Sequence, residues 1–119
     1  MQMENHLLKN KLVLIPFPFD DLSTTKARPA VCLTEPIGFH QHVVLAFISS
    51  RIPNELLPTD IVIDQSDAEF AATGLKVSSV VRLHRLMSVS VNLVKRELGS
   101  LPPRLQQAVA QKLRILFGL

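Results

Sequence analysis

The sequence predicts an α+β domain built on a small, strongly bent antiparallel sheet or barrel, with one short helix and a C-terminal helix. Three observations predict it. Short apolar segments, several with two-residue alternation, follow one another closely through residue 91. One long segment with helical spacing closes the chain. Strands and helices do not alternate, which argues against a doubly wound, nucleotide-binding parallel sheet. A length of 119 residues fits one compact domain. Residues 1–10 read as an N-terminal extension before the first apolar segment.

The first strand is read at Leu12–Phe19 (LVLIPFPF). Val13, Ile15, Phe17 and Phe19 fall on one face, Leu12, Leu14, Pro16 and Pro18 on the other. The two prolines remove every second ladder donor, so one side of this part is an edge or a bulge. Asp20–Ala27 (DDLSTTKA) is polar and reads as a loop. Pro29–Thr34 is a second strand, and Glu35–His40, with Pro36 and Gly38, is a turn. Gln41–Ser49 (QHVVLAFIS) is a long apolar strand expected at the centre of the sheet. A loop with two prolines, Ser50–Pro58, leads to a strand at Thr59–Asp64. Gln65–Ala72 has helical composition and is ended by Thr73-Gly74. Strands are expected at Lys76–Leu83 and, more weakly, at Leu86–Val91, while Asn92–Leu98 is ambiguous. Pro103–Phe117 is the terminal helix. Pro103 suits its first turn, and Leu105, Ala108, Val109, Leu113, Leu116 and Phe117 form its apolar stripe.

Composition narrows the function. Hydrophobic residues make up 47% of the chain and the mean hydropathy is +0.26, which is apolar for a small monomer and points to a subunit interface. A net charge of +3 and a pI near 9.4 suit an anionic partner such as RNA. Cys32, the only cysteine, cannot form an internal disulfide and is expected in the core. No signal-type or membrane-length apolar stretch is present, so a cytoplasmic location is expected.

Standard catalytic patterns are missing. The four glycines are scattered, which excludes a phosphate-cradling loop, and no serine sits in a nucleophile elbow. Adjacent Asp20 and Asp21 read as a solvated turn. His40 and His42 could share a strand face, but no third metal ligand stands at a suitable spacing, and His84 reads as solvated among Arg82 and Arg85. Two spots carry more. At Arg28-Pro29 the proline biases Arg28 to an extended backbone and presents a planar, permanently charged fork suited to phosphate oxygens. On local sequence alone, pairing of Arg28 with a loop acid such as Asp20 or Asp21 is the stronger reading. At Ser49-Ser50-Arg51, two hydroxyls and a cation stand where the long strand leaves the sheet.

The chain resembles the MazF/PemK toxin family. The resemblance is carried by Leu12–Phe19 with Lys26–Ala30 (KARPA), Leu45–Ser50 (LAFISS), Leu57–Asp64 (LPTDIVID), Leu75–Arg82 (LKVSSVVR) and Leu98–Leu101 (LGSL), in that order, across residues 11–119. It implies an SH3-like barrel, a homodimer with grooves for single-stranded RNA, metal-independent RNA cleavage without a cofactor, and neutralisation by a cognate antitoxin. The family's catalytic arginine falls on Arg28 and its catalytic threonine on Ser49. Lys26, Ser50, Arg51, Lys76 and Arg82 are the candidate substrate-binding residues. Three departures stand out: the usual Gly-Asp opening is Asn10-Lys11, the threonine is Ser49, and the first loop lacks the glutamate some members carry. A gyrase-binding toxin of the CcdB type resembles the same fold, and its aromatic-Gly-aliphatic tail matches Phe117-Gly118-Leu119. A catalytically silent, antitoxin-binding module is the third reading.

Overall fold

The computed structural model describes residues 7–17 and 26–119. Six strands form one antiparallel sheet: β1 (Lys11–Phe17), β2 (Lys26–Cys32), β3 (His42–Ser49), β4 (Asp60–Ile63), β5 (Ser79–Ser90) and β6 (Arg96–Ser100). Their spatial order is β4-β5-β3-β2-β1-β6, so β3 is central as expected. The sheet curls into a half-barrel, and helix α1 (Pro103–Phe117) packs on one face.

Strict alternation gives the sheet two buried faces. Leu12, Val31, Ala46, Ile48, Val81 and Leu83 point to the face covered by Leu105 and Val109 of α1. Val13, Ile15, Ala30, Cys32, Val43, Leu45, Phe47 and Val89 point to the other, joined by Leu8 from the segment before β1. Cys32 is a free, buried thiol of this second cluster. Burial, aided by the charges of Glu97 and Glu35, pushes its pKa up to about 12.

Pro16 lies where β1 has lost its outer neighbour. The Leu14 carbonyl accepts the Lys95 amide at 2.8 Å, and β6 pairing ends at Leu14, after a bulge between Leu12 and Val13. Pro16, two residues on, points its missing donor the same way. Pro18 and Phe19 of the expected strand, Asp20 to Thr25 of the expected loop, and residues 1–6 lie outside the described residues. β2 begins at Lys26, three residues before its expected start.

Three elements differ from expectation. The helix read at Gln65–Ala72 contracts to a 3-10 turn at Phe70–Thr73, closed by Gly74 at φ 75°. Aspartates divert the backbone before it: Asp64 accepts the Ser66 amide and hydroxyl at 2.9 Å, and Asp67 the Glu69 amide at 2.8 Å. The two strands read at Lys76–Leu83 and Leu86–Val91 are one bent strand, β5. Its pairing with β3 shifts between Ala46↔Leu86 and Ile48↔Val81, leaving residues 82–85 opposite Phe47 alone. The ambiguous Asn92–Leu98 resolves into a 3-10 turn (Val91–Leu93) and strand β6.

Helix α1 starts and stops where the sequence indicates. Pro103 opens it, and Gly118, at φ 69°, closes it while the Leu119 amide bonds the Arg114 carbonyl at 2.9 Å. Its stripe is shorter than expected. Leu105 and Val109 are buried, Ala108, Leu113 and Leu116 partly so, but Phe117 is 60% exposed. The helix has run past the sheet by its last turn.

Candidate active site

Pro29 opens the site. The carbonyl of Leu14 points toward β6, so its partner across β1–β2, Pro29, directs its backbone toward β3. Proline has no N–H to give there. The β2–β3 ladder accordingly runs through Cys32↔Leu45, Val31↔Ala46 and Ala30↔Phe47 and stops. Beyond that point each strand remains paired on its other side, β2 with β1 as far as Lys26 and β3 with β5 as far as Ser49. The two strands part as a wedge. Continuing the register by two residues sets Arg28 opposite Ser49, and opposite residues share a face of the sheet.

Two cavities lie along the wedge, and Arg28, Ile48 and Ser49 border both. The smaller, about 360 Å3, is completed by Phe47, Arg51, Arg82 and Arg85. The larger, about 520 Å3, has apolar walls from Leu14, Leu75, Val77 and Leu98, with Pro29, Ser50, Lys76 and Arg96 among its other lining residues. Its far wall depends on two glycines. A Cβ on Gly99 would lie 2.3 Å from the Ala72 carbonyl oxygen, and one on Gly74 2.0 Å from that of Leu98. Only glycines let the Phe70–Gly74 turn press onto β6 this closely.

The expected residues are therefore largely brought together. Arg28 is exposed at the cavity mouth, and Ser49 is half-buried beside it. Arg51 and Arg82 line the smaller cavity, Ser50 and Lys76 the larger. Lys26 is exposed and borders neither. Asp20 and Asp21, the local partners considered for Arg28, lie outside the described residues. His40 and His42 sit apart from the site on the exposed Ile37–His42 turn, with ring centroids 6.1 Å apart. Among the described residues no three His, Cys, Asp or Glu cluster to hold a metal.

Two cavity arginines, Arg85 and Arg96, are not among the site residues read from the sequence. Arg85 and Arg82, three apart, would fall on opposite faces of a regular strand; the shifted register at residues 82–85 turns both to the same cavity. Arg96 reaches the larger cavity from β6, a strand the sequence does not resolve.

The chemistry offered is that of an anion site. Four guanidinium side chains border a cavity of about 360 Å3, each a permanent cation with a planar donor array. The Ser49 hydroxyl oxygen accepts the Arg51 amide at 3.0 Å. That bond uses a lone pair and leaves the hydroxyl able to donate. Arg82 donates from Nε to Oδ1 of Asp60 at 2.8 Å, and the Asp60 side chain is fully buried.

Comparison with known proteins bears on this geometry. A family model described as PemK-like, MazF-like toxin of type II toxin-antitoxin system matches residues 9–117. The chain belongs to this family. Its fold is similar to that of the Mycobacterium tuberculosis toxin MazF-mt6, with 23% identity, a TM-score of 0.70, and 92% of this chain and 97% of that chain covered. It is similar to the MazE-MazF structure from Deinococcus radiodurans, at 20% identity and a TM-score of 0.72, covering 96% of this chain and 98% of that chain. An endoribonuclease in complex with its cognate antitoxin from a mycobacterial species is similar at 15% identity and a TM-score of 0.68, covering 96% of this chain and 97% of that one. No curated protein matches the chain.

Against the family pattern, the Asn10-Lys11 departure has a local account. Asn10 adopts φ 73°, a left-handed conformation that asparagine tolerates better than most residues. Its amide donates to Cys32 at 2.8 Å and its carbonyl accepts from Leu101 at 2.9 Å, which ties the entrance of β1 to both neighbouring strands. No helix among the described residues is long and apolar enough to cross a membrane.

Proposed function

We propose that this toxin-family protein is a sequence-selective, metal-independent endoribonuclease that cuts single-stranded RNA. It would act in the cytoplasm as a homodimer with residues 11–119 as the toxin domain, and a cognate antitoxin would neutralise it. One observation carries the reading: Arg28 and Ser49 border both cavities of the wedge, in a setting of further arginines. Membership of a toxin family supports it. So do the descriptions of two fold relatives, one an endoribonuclease with its antitoxin and one a MazE-MazF pair. The apolar composition supports the homodimer.

The RNA supplies its own nucleophile in this scheme. The 2′-hydroxyl attacks the adjacent phosphorus in line, the bond to the 5′-oxygen breaks, and the products are a 2′,3′-cyclic phosphate and a 5′-hydroxyl. The protein's work is to hold the backbone in line and stabilise charge growing on the phosphoryl oxygens. Arg28 is assigned to those oxygens. A guanidinium is a poor base and a dependable cation. Ser49 donates to the same phosphate. Arg51 and Arg82 on one side, and Ser50 and Lys76 on the other, would grip neighbouring phosphates, with Lys26 on the approach. For single strands each neutralised phosphate adds about 0.7 to the log–log salt slope.

The test is the chemistry of the RNA ends made by pure protein, with and without chelator, and with Arg28→Ala alongside. Cyclic phosphate ends, indifference to EDTA and loss of cleavage in a folded Arg28→Ala variant are expected. Cleavage abolished by EDTA, or 3′-hydroxyl ends, would overturn the scheme. A second reading, a CcdB-like gyrase-binding toxin, is favoured by one feature: Phe117 and Leu119 are 60% and 84% exposed at the end of α1. Gyrase inhibition without RNA cleavage would select it. Absence of both activities would select the silent antitoxin-binding module.

A further inference from the structure

Asp60 and Arg82 face each other directly in the β4–β5 ladder. Arg82 lines the smaller cavity and Asp60 does not. Their contact is particular. Arg82 donates through Nε to Oδ1 at 2.8 Å, while Oδ2 accepts the Leu57 amide at 2.8 Å. With both oxygens engaged and its side chain fully buried, the carboxylate has no freedom to swing toward another partner. The turn that carries it is held from behind by α1: Lys112 Nζ donates to the Pro58 carbonyl at 3.0 Å and to the Asp60 carbonyl at 3.2 Å.

A guanidinium has five N–H donors, and engagement through Nε leaves the four on the two Nη atoms. A bidentate grip across both Nη atoms would have taken two of those four donors. The carboxylate also lies outside the cavity lining, so its charge anchors Arg82 without standing between it and an incoming anion. We propose that Asp60 is a positioning residue: it grips Arg82 by Nε so that the Nη face meets an RNA phosphate beside the scissile one, and Lys112 steadies the Leu57–Asp60 turn for that purpose. This assignment rests on the reading of the wedge as an RNA-phosphate site.

The first measurement needs no variant. In wild-type protein, the Arg82 Nε–H NMR signal should exchange slowly with solvent and stay in place on addition of pyrophosphate, while the Arg82 Nη signals shift with those of Arg28. Silent Arg82 Nη signals beside shifting ones from Arg28 would overturn the proposal. Asp60→Asn, folded by its melting curve, should then bind pyrophosphate about tenfold more weakly, the equivalent of one charge-assisted hydrogen bond. A fully 2′-O-methylated oligoribonucleotide, which has no attacking hydroxyl, should lose the same factor. Arg82→Ala added to Asp60→Asn should cost nothing further, because both changes remove one interaction. Wild-type affinity in Asp60→Asn, or losses that multiply in the double variant, would overturn the assignment. Pyrophosphate binding separates the two claims: a protein that loses it in Asp60→Asn yet leaves unmodified RNA intact refutes the ribonuclease reading and keeps the role of Asp60.

Discussion

Replacing Ser49 by alanine sets a structural cost against a chemical one, and the two differ enough to tell apart. The structural cost is the hydrogen bond from the Arg51 amide, 3.0 Å long and at an exposed turn. Water can take over that amide, so the loss is at the low end for a hydrogen bond, about 0.5 kcal/mol. In a domain of this size that lowers Tm by about 2–4 °C and leaves the protein folded at 25 °C. The chemical cost is one donor to the phosphoryl oxygens, about 2.7–4 kcal/mol, or a 10²- to 10³-fold fall in rate. Single-turnover cleavage of a labelled RNA, run beside thermal melts, reads both. Ser49→Thr keeps a hydroxyl and should retain most of the rate. The reasoning fails if Ser49→Ala cleaves within about threefold of wild type. It also fails if Tm drops by more than about 10 °C, since the hydroxyl would then be structural.

Other expectations follow from the same structure. Gly99→Ala would set a Cβ 2.3 Å from the Ala72 carbonyl oxygen and 2.5 Å from the Thr73 carbonyl carbon, both backbone atoms with no rotamer to escape into. It should cost about 1–3 kcal/mol in denaturant unfolding and weaken RNA binding by moving the wall of the larger cavity. Cys32 makes a pH prediction. Its folded pKa, about 12, lies above the ordinary 9.0, so the native state keeps a proton that the unfolded chain has released. The stability this thiol contributes is whole below about pH 9 and is lost as pH rises toward 12. Urea melts between pH 8 and 11 should show Cys32→Ala flattening that decline; equal slopes in both proteins would refute it.

Much of the fold was legible because alternation reports burial directly. The strands around Leu12, Val43 and Ile61, and the helix bounded by Pro103 and Gly118, stand where their patterns put them. What was not legible depends on pairing. The lost helix is the exception, because Asp64-x-Ser66 and Asp67-x-Glu69 carry locally the aspartates whose side chains capture its amides. β6 is weakly patterned because it pairs with β1 at the sheet's rim, where burial is partial. That Arg28 and Ser49 border the same two cavities is a cross-strand fact. Local sequence offered each residue only a bland role, and family resemblance joined them. In the structure, the register between Ala30 and Phe47 accounts for it. Arg85 escaped because it falls between the two strands read there, and only the shifted register of β5 turns it to the cavity.

That shifted register constrains how this chain can change. Four residues on β5 answer to one on β3, so an odd number of surplus residues inverts inside and outside between Leu83 and Leu86. Deleting or inserting a single residue there would turn Val89 toward the helix and Leu86 away from it, disrupting both faces at once. Swapping one side chain for another at position 84 or 85, both solvent-facing, leaves that count untouched. Folding should therefore tolerate changes of identity at positions 84 and 85 but not changes of length in this stretch, so part of the cavity rim can diversify while the scaffold beneath it stays the same.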